Sequence, residues 1–206
     1  VPYGSTTEAV EEKHRDVKMT GGQWRTALGL AVVAAAIVLS NVMITVRIPS
    51  VVEQVGHGTA QTAGLILAAM QFVGILAGLA FSPLTQLFRD RLLLVSGVAY
   101  GLTQLLIGVS TNLWMLAIVT ILAGFAYSVA LTTVYNVLSD QMPAGVLSQA
   151  TSIAVLGCSA GSIATTFVLS LLGTISSAPA FIFGFSGILM ILISFFGLWI
   201  VRKSGK

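Results

Sequence analysis

Long apolar stretches separated by short polar turns run through most of this chain. Between Thr26 and Val201 the only charged residues are Arg47, Glu53, Arg89, Asp90, Arg91 and Asp140. A helix needs roughly 20 apolar residues to cross a bilayer, and in lipid its backbone polar groups must pair within the segment. The pattern therefore predicts six transmembrane helices, at Trp24–Val46, Thr62–Phe88, Leu92–Val109, Leu113–Ser139, Val146–Gly173 and Pro179–Val201.

The composition supports a membrane protein and excludes a water-soluble domain. Hydrophobic residues make up 56% of the chain and charged residues 8%, whereas soluble domains carry about 25% charged residues. A signal peptide or a single anchor is also excluded, because apolar segments recur along the whole chain. We therefore expect an all-α polytopic bundle of six helices, in direct contact with the lipid bilayer.

The distribution of basic residues predicts the orientation of this bundle. Arg47 is the one basic residue expected outside, whereas the other nine share the opposite side: Lys13, Arg15, Lys18, Arg25, Arg89, Arg91, Arg202, Lys203 and Lys206. Because lysine and arginine accumulate in cytoplasmic loops, both termini are expected in the cytoplasm. Residues 1–23 are then a polar cytoplasmic tail or the end of a central loop, 24–202 the bundle, and 203–206 a basic tail. This placement is a topology signal, so nucleic acid is not an expected partner.

Small residues recur at four-residue spacing within several predicted helices. The pairs are Gly74 with Gly78, Gly97 with Gly101, Gly124 with Ser128, and Gly157 with Gly161. Such pairs let helix backbones approach closely, which favours helix association in lipid. They indicate either tight packing or surfaces on which helices slide.

Polar residues inside the apolar spans are the candidates for function. Arg47 is the main ionisable candidate, since such a group at membrane depth is costly and tends to face a cavity or a partner. It could instead lie at the outer interface and extend into the headgroups. The amides could join helices by hydrogen bonds or line a cavity for a polar solute. The candidates are Asn41, Thr45, Arg47, Gln104, Tyr127, Thr132 and Asn136.

The catalytic alternatives are weak. Gly184-Phe185-Ser186-Gly187 matches the GxSG pattern of intramembrane serine proteases, but a serine nucleophile needs a neighbouring base. The only histidines, His14 and His57, lie far before it, and Cys158 is the only cysteine. These residues cannot form a metal site of the usual spacing. We expect no enzyme activity, no metal and no cofactor, and we interpret the serine segment as helix packing.

Three stretches at the ends of predicted helices carry a family resemblance. Arg47 to Gly56 contains a proline and an amphipathic turn after the first helix, Ser82 to Arg91 ends in a charged turn between the second and third helices, and Pro143 to Ala150 begins with proline and ends with alanine after the fourth. Together these stretches resemble motifs of the major facilitator superfamily, whose members are built from two six-helix halves. Gln86 stands where the family has aspartate, and such departures are typical of the carboxy-terminal half.

This resemblance implies a secondary active transporter of a small organic solute, working by alternating access in the plasma (inner) membrane. The first and fourth helices line the cavity in that family, which favours Asn41, Thr45, Tyr127, Thr132 and Asn136, with Gln104 outside that set. Arg89, Asp90 and Arg91 would form the charged turn that stabilises one conformation. A complementary six-helix half or a second copy is the expected partner. The alternative is a non-transporting membrane protein: a channel subunit, an assembly factor or an inactive remnant.

Overall fold

The computed structural model describes residues 19–56, 58–88 and 91–204, which form six helices without a strand. Five helices are long and apolar enough to cross a membrane, while α3, at 17 residues, lies at the short end for a span. The predicted six-helix membrane bundle is confirmed. The helices are α1 (Gly21–Gly56), α2 (Ala60–Phe88), α3 (Leu92–Gly108), α4 (Leu113–Gln141), α5 (Ala144–Ile175) and α6 (Pro179–Ser204).

The expected helix break after the first span is wrong, because α1 continues through Pro49 to Gly56. Proline lacks an N–H and leaves a carbonyl one turn earlier without its donor. Burial of Ile48, Val51 and Val52 in the core favours continuing the helix. The Ser50 hydroxyl also donates to the Arg47 carbonyl at 2.8 Å, which supplies local hydrogen bonding around the proline.

The helices pack as two sets of three with matching contacts. The most extensive helix pairs are α1 with α5, α3 with α6, and α2 with α4. Exchanging α1–α3 with α4–α6 converts the first pair into the third and leaves the second unchanged. The fold therefore has the internal symmetry of a three-plus-three repeat.

Small residues allow the close contact of α1 with α5 and the equivalent contact of α2 with α4. Gly157 and Gly161 of α5 lie against the backbones of Ala31 and Ala35 of α1. In the matching pair, Gly124 of α4 lies against the backbone of Met70, and a Cβ placed on Gly74 would come within 2.6 Å of the Ser128 Oγ. These interfaces have no room for larger side chains, as expected for closely packed membrane helices.

The third helix pair uses small residues as well, but one predicted contact fails. In α3, Gly97 lies against Ser194 and Gly101 against the backbone of Gly187, both in α6. Gly78 of α2 has no atom within 4 Å of where a Cβ would stand, so its predicted packing role is wrong.

The first and last helices meet at one end of the bundle. Gly29 of α1 lies against Ile200 of α6, and the Gln141 Nε2 of α4 donates to the Val201 carbonyl at 3.5 Å. The start of α1 and the end of α6 therefore lie at the same end, as an even number of crossings requires.

Candidate solute-binding site

Two candidate residues lie one turn apart on α1. Asn41 is half-buried and Thr45 is exposed, and the Thr45 hydroxyl donates to the Asn41 carbonyl at 3.1 Å. The Asn41 side-chain oxygen is buried without a hydrogen-bond partner among the described residues. Its unused acceptor makes Asn41 the better of the two for receiving a donor from a solute.

The three candidates on α4 do not share one face. Thr132 is exposed and Asn136 half-buried, and their four-residue spacing places them on the same side. Tyr127 lies nine residues before Asn136, which is two and a half turns at 3.6 residues per turn and therefore the opposite side. The structure thus separates Tyr127 from the other two.

Two of these α4 side chains, Asn136 and Tyr127, have a neighbour within the bundle. The Asn136 Nδ2 donates to the Asp140 Oδ2 at 3.2 Å, which leaves the Asn136 amide oxygen outside that bond. The Tyr127 ring lies 6.0 Å from the Tyr100 ring of α3, centroid to centroid, with the planes tilted by 53°. Tyr127 is therefore directed at α3, whereas Asn136 is tied to the α4 terminus.

Arg47 lies in the last third of α1 and is anchored to the backbone of a neighbouring segment. It is half-buried, and its Nη2 donates to the carbonyl of Ser177, in the connection between α5 and α6, at 2.9 Å. A charged donor of this kind makes one of the stronger hydrogen bonds. Arg47 therefore ties the last third of α1 to that connection and keeps its remaining donors for a second partner.

Gln104 lies inside the bundle, away from any open surface. It is fully buried on α3, and both its Oε1 and its Nε2 are without a hydrogen-bond partner among the described residues. The hydroxyls of Tyr100, one turn earlier, and of Thr120, on α4, are buried and unpartnered in the same way. Sequence reasoning missed Thr120, because a single threonine in an apolar run carries no distinguishing signal.

Gln104 and Asn41 lie at a common depth. Ser186 of α6 donates to Ser40 of α1 at 3.0 Å, and Gly187 lies against Gly101, within one turn of Gln104. Asn41 follows Ser40 directly. A polar layer, defined here as Ser40, Asn41, Tyr100, Gln104 and Ser186, therefore crosses the interior at about one level.

The serine of the protease-like segment belongs to this layer. Ser186 is fully buried and hydrogen-bonded to Ser40, and Gly187 packs on α3. Phe185 is 42% exposed, and Gly184 has no close neighbour. The helix-packing interpretation therefore holds for Ser186 and Gly187 and fails for the two residues before them.

A second contact unnoticed in the sequence joins α4 to α5. The Tyr135 hydroxyl lies 3.6 Å from the Cys158 Sγ, and both residues are half-buried. Helices α4 and α5 otherwise have few contacts. This pair therefore closes part of the gap between them.

The predicted charged turn is only partly visible. Arg91 is exposed immediately before α3 and forms no side-chain cap there. Arg89 and Asp90 lie outside the described residues. Among the described residues, no cluster of three or more histidine, cysteine, aspartate or glutamate side chains could hold a metal ion.

Comparison with known proteins gives one family. A family model described as Major Facilitator Superfamily matches residues 28–206, from the first turns of α1 to the end of the chain. The match includes α1 from residue 28, the other five helices and every candidate residue named above. No curated protein matches the chain.

Proposed function

The chain belongs to the major facilitator superfamily of transporters, and on that premise we propose that it is the carboxy-terminal half of a secondary active transporter. It carries a small organic solute across the plasma (inner) membrane by alternating access, with both termini in the cytoplasm. The observation that most supports this proposal is the placement of partly exposed polar side chains on α1 and α4, two helices in mutual contact.

The proposed solute site consists of polar side chains with unused hydrogen-bonding capacity. Asn41 contributes a free carbonyl oxygen from α1, and Asn136 an amide from α4. Thr45 and Thr132 add exposed hydroxyl-bearing side chains one turn away on the same helices. Such groups fix the orientation of a polar solute in an otherwise apolar site.

The charge of this region limits the class of solute. Arg47 is its only described cation, and neither α1 nor α4 presents a carboxylate at mid-membrane depth. We therefore propose an uncharged or anionic organic solute, since Asp140, one turn from Asn136, already accepts the Asn136 amide. Tyr127 supports the site through its contact with Tyr100. Gln104 supports it from the interior of the six-helix bundle, where its side chain is fully buried.

The helix packing supports a rocking mechanism. Each set of three helices is joined to the other by tight contacts between small residues, so that the half can move as one body. We propose that Arg89, Asp90 and Arg91 stabilise one conformation at the cytoplasmic side. Exposed Arg91 is available for an ion pair with the partner half.

The exposed faces of α2 and α5 support a requirement for that partner half. These are the two least buried of the long helices. The exposed face of α5 carries small polar residues, at Ser152, Ser159, Thr166 and Ser170, between large exposed side chains such as Leu156, Ile163 and Phe167. Small and hydroxyl-bearing residues are typical of helix interfaces rather than lipid-facing surfaces. We propose a complementary six-helix half or a second copy on this side.

Thiol accessibility tests alternating access without knowledge of the solute. Cys158→Ser removes the only cysteine and provides the background for single cysteines at Thr45, toward the outer end of α1, and Thr132, toward the inner end of α4. We expect a charged, membrane-impermeant thiol reagent to label Thr45→Cys from outside and Thr132→Cys from inside. Leu192→Cys on α6, where leucine is 63% exposed, is the lipid-facing control and should react from neither side.

A double variant separates a transporter from a channel. In Thr45→Cys/Thr132→Cys, a bulky reagent bound at residue 45 from outside should hold the outward-open form and suppress labelling of residue 132 from inside. Independent labelling of the two positions would indicate a continuous pore. Labelling of both at the rate of Leu192→Cys would show that α1 and α4 face lipid, and would refute the proposed site.

A further inference from the structure

A cavity lies away from the proposed solute site, at the end of the bundle where α1 begins and α6 ends. It has a volume of about 720 Å³ and opens to the surface between these two helices. Gln141 of α4 contributes to its lining, and its amide donates to the Val201 carbonyl at 3.5 Å. Three helices therefore build this groove, which the solute pathway does not use.

The groove is polar at one end and apolar along its length. Thr20, Gln23 and Arg25 line the end at the start of α1. Leu28 and Val32, each 50% exposed, follow at one-turn spacing deeper along the helix. A molecule that lies in the groove would thus have its polar end at the bundle surface and its apolar end at membrane depth.

Aromatic side chains form the wall on α6. The rings of Phe196 and Trp199 are stacked, with centroids 6.1 Å apart and planes at 21°. Trp199 is 55% exposed near the end of the helix, the position at which tryptophan marks a membrane–water interface. The level of the groove is therefore that of the lipid headgroups and the first part of the acyl chains.

Arg25 provides a cation that the described protein does not neutralise. The described residues contain two carboxylates, Glu53 and Asp140. Glu53 lies near the opposite end of α1, and Asp140 accepts the Asn136 amide at 3.2 Å. No ion pair joins Arg25 to either of them within the described residues, so the groove favours an anionic occupant.

A second groove provides a contrast. It lies between α2 and α4, has a volume of about 250 Å³ and is lined by apolar residues such as Leu65 and Trp114 with Thr62 as its polar member. It contains no cation and suits acyl chains without any preference for a headgroup. Charge therefore distinguishes the α1–α6 groove from an ordinary lipid-facing depression.

We propose that the α1–α6 groove is a binding site for an anionic phospholipid. Arg25 contacts the phosphate, the polar residues around Thr20 and Gln23 contact the headgroup, and an acyl chain follows Leu28, Val32 and the Phe196–Trp199 stack. Basic pockets between membrane helices on the cytoplasmic side commonly bind such headgroups. With the proposed orientation, the lipid comes from the cytoplasmic leaflet.

Native mass spectrometry of the purified full chain in detergent tests this site. Phosphatidylglycerol and phosphatidylcholine with identical acyl chains are titrated separately, and the lipid-bound fraction is measured. We expect phosphatidylglycerol to bind more tightly, and Arg25→Gln to weaken its binding about fivefold while leaving phosphatidylcholine unchanged, the size expected for one basic residue facing an anionic headgroup. Trp199→Ala should weaken both lipids alike.

Arg202→Gln is the matched control. Arg202 is an exposed arginine at the same end of α6, outside the groove lining, and its loss should leave phosphatidylglycerol binding at the wild-type level. Equal effects of Arg25→Gln and Arg202→Gln would show general surface attraction and overturn the site. Wild-type binding in Arg25→Gln would overturn it as well. Neither measurement depends on transport activity.

Discussion

Buried polar side chains in the polar layer differ in whether they are hydrogen-bonded. Ser186 and Ser40 satisfy each other across α6 and α1, whereas both amide atoms of Gln104 have no partner among the described residues. A buried polar group without a partner costs roughly 1–3 kcal/mol. Gln104 therefore destabilises this conformation, while Ser186 stabilises it.

This difference predicts opposite effects of two substitutions. Gln104→Met keeps the volume and removes the unpartnered amide, so it should stabilise the protein by about 1 kcal/mol. Ser186→Ala should destabilise it by roughly 0.6–1 kcal/mol, the usual value for an interhelical hydrogen bond in a membrane bundle. The thermal unfolding midpoint in detergent, followed by size-exclusion chromatography of heated samples, measures both. A lower midpoint in Gln104→Met would show that the amide has a partner, such as bound solute.

The sequence predicted which polar and small residues lie within the membrane-spanning helices. It did not predict whether each of them faces a neighbouring helix. Gln104 and Asn136 were equivalent as isolated amides in apolar runs, yet one is fully buried and the other bonds to Asp140. Gly74 and Gly78 were equivalent as a small-residue pair, yet only Gly74 meets a neighbouring helix. Which side of a helix faces a neighbour depends on contacts between helices distant in sequence, and spacing alone does not contain that information.

The ends of helices were predicted well where the chain changes from apolar to polar residues, and poorly where it does not. Charge and proline marked the ends of α2 and α4, which the structure places within two residues of the expected positions. The end of α1 was misplaced by ten residues, at Gly56 rather than Val46, because Pro49 suggested a break. The apolar positions Ile48, Val51 and Val52 have helical spacing, and this signal predicts continuation.

The exposed small-polar face of α5 predicts which surface binds the partner half. Ser159→Trp should obstruct close helix approach on this face and lower the fraction of protein captured with a second half or a second copy several-fold. Chemical cross-linking in native membranes, followed by gel analysis, measures this fraction. Leu192→Trp, on the lipid-facing side of α6, is the control and should leave it unchanged. Monomers alone, with transport retained, would contradict the need for a partner.

The proposed membrane topology requires that the start of α1 and the end of α6 lie at the same end of the bundle. Contacts of Gly29 with Ile200 and of Gln141 with Val201 place the start of α1 and the end of α6 together, as the six predicted crossings require. The excess of basic residues there predicts that this end lies in the cytoplasm. Membership of the family was predictable from the number of helices and the short loops between them. The repeat symmetry became visible only in the packing of α1 on α5 and of α4 on α2.

Accessibility of both termini in intact cells is the most direct test of this arrangement. Epitope tags before Val1 and after Lys206, with a third tag in the predicted outer loop beside His57, are probed with antibodies before and after permeabilisation. We predict that both terminal tags are detected only after permeabilisation, while the loop tag is detected in intact cells. Detection of a single terminal tag from outside would mean an odd number of crossings, and would contradict the transporter half and the cytoplasmic lipid site together.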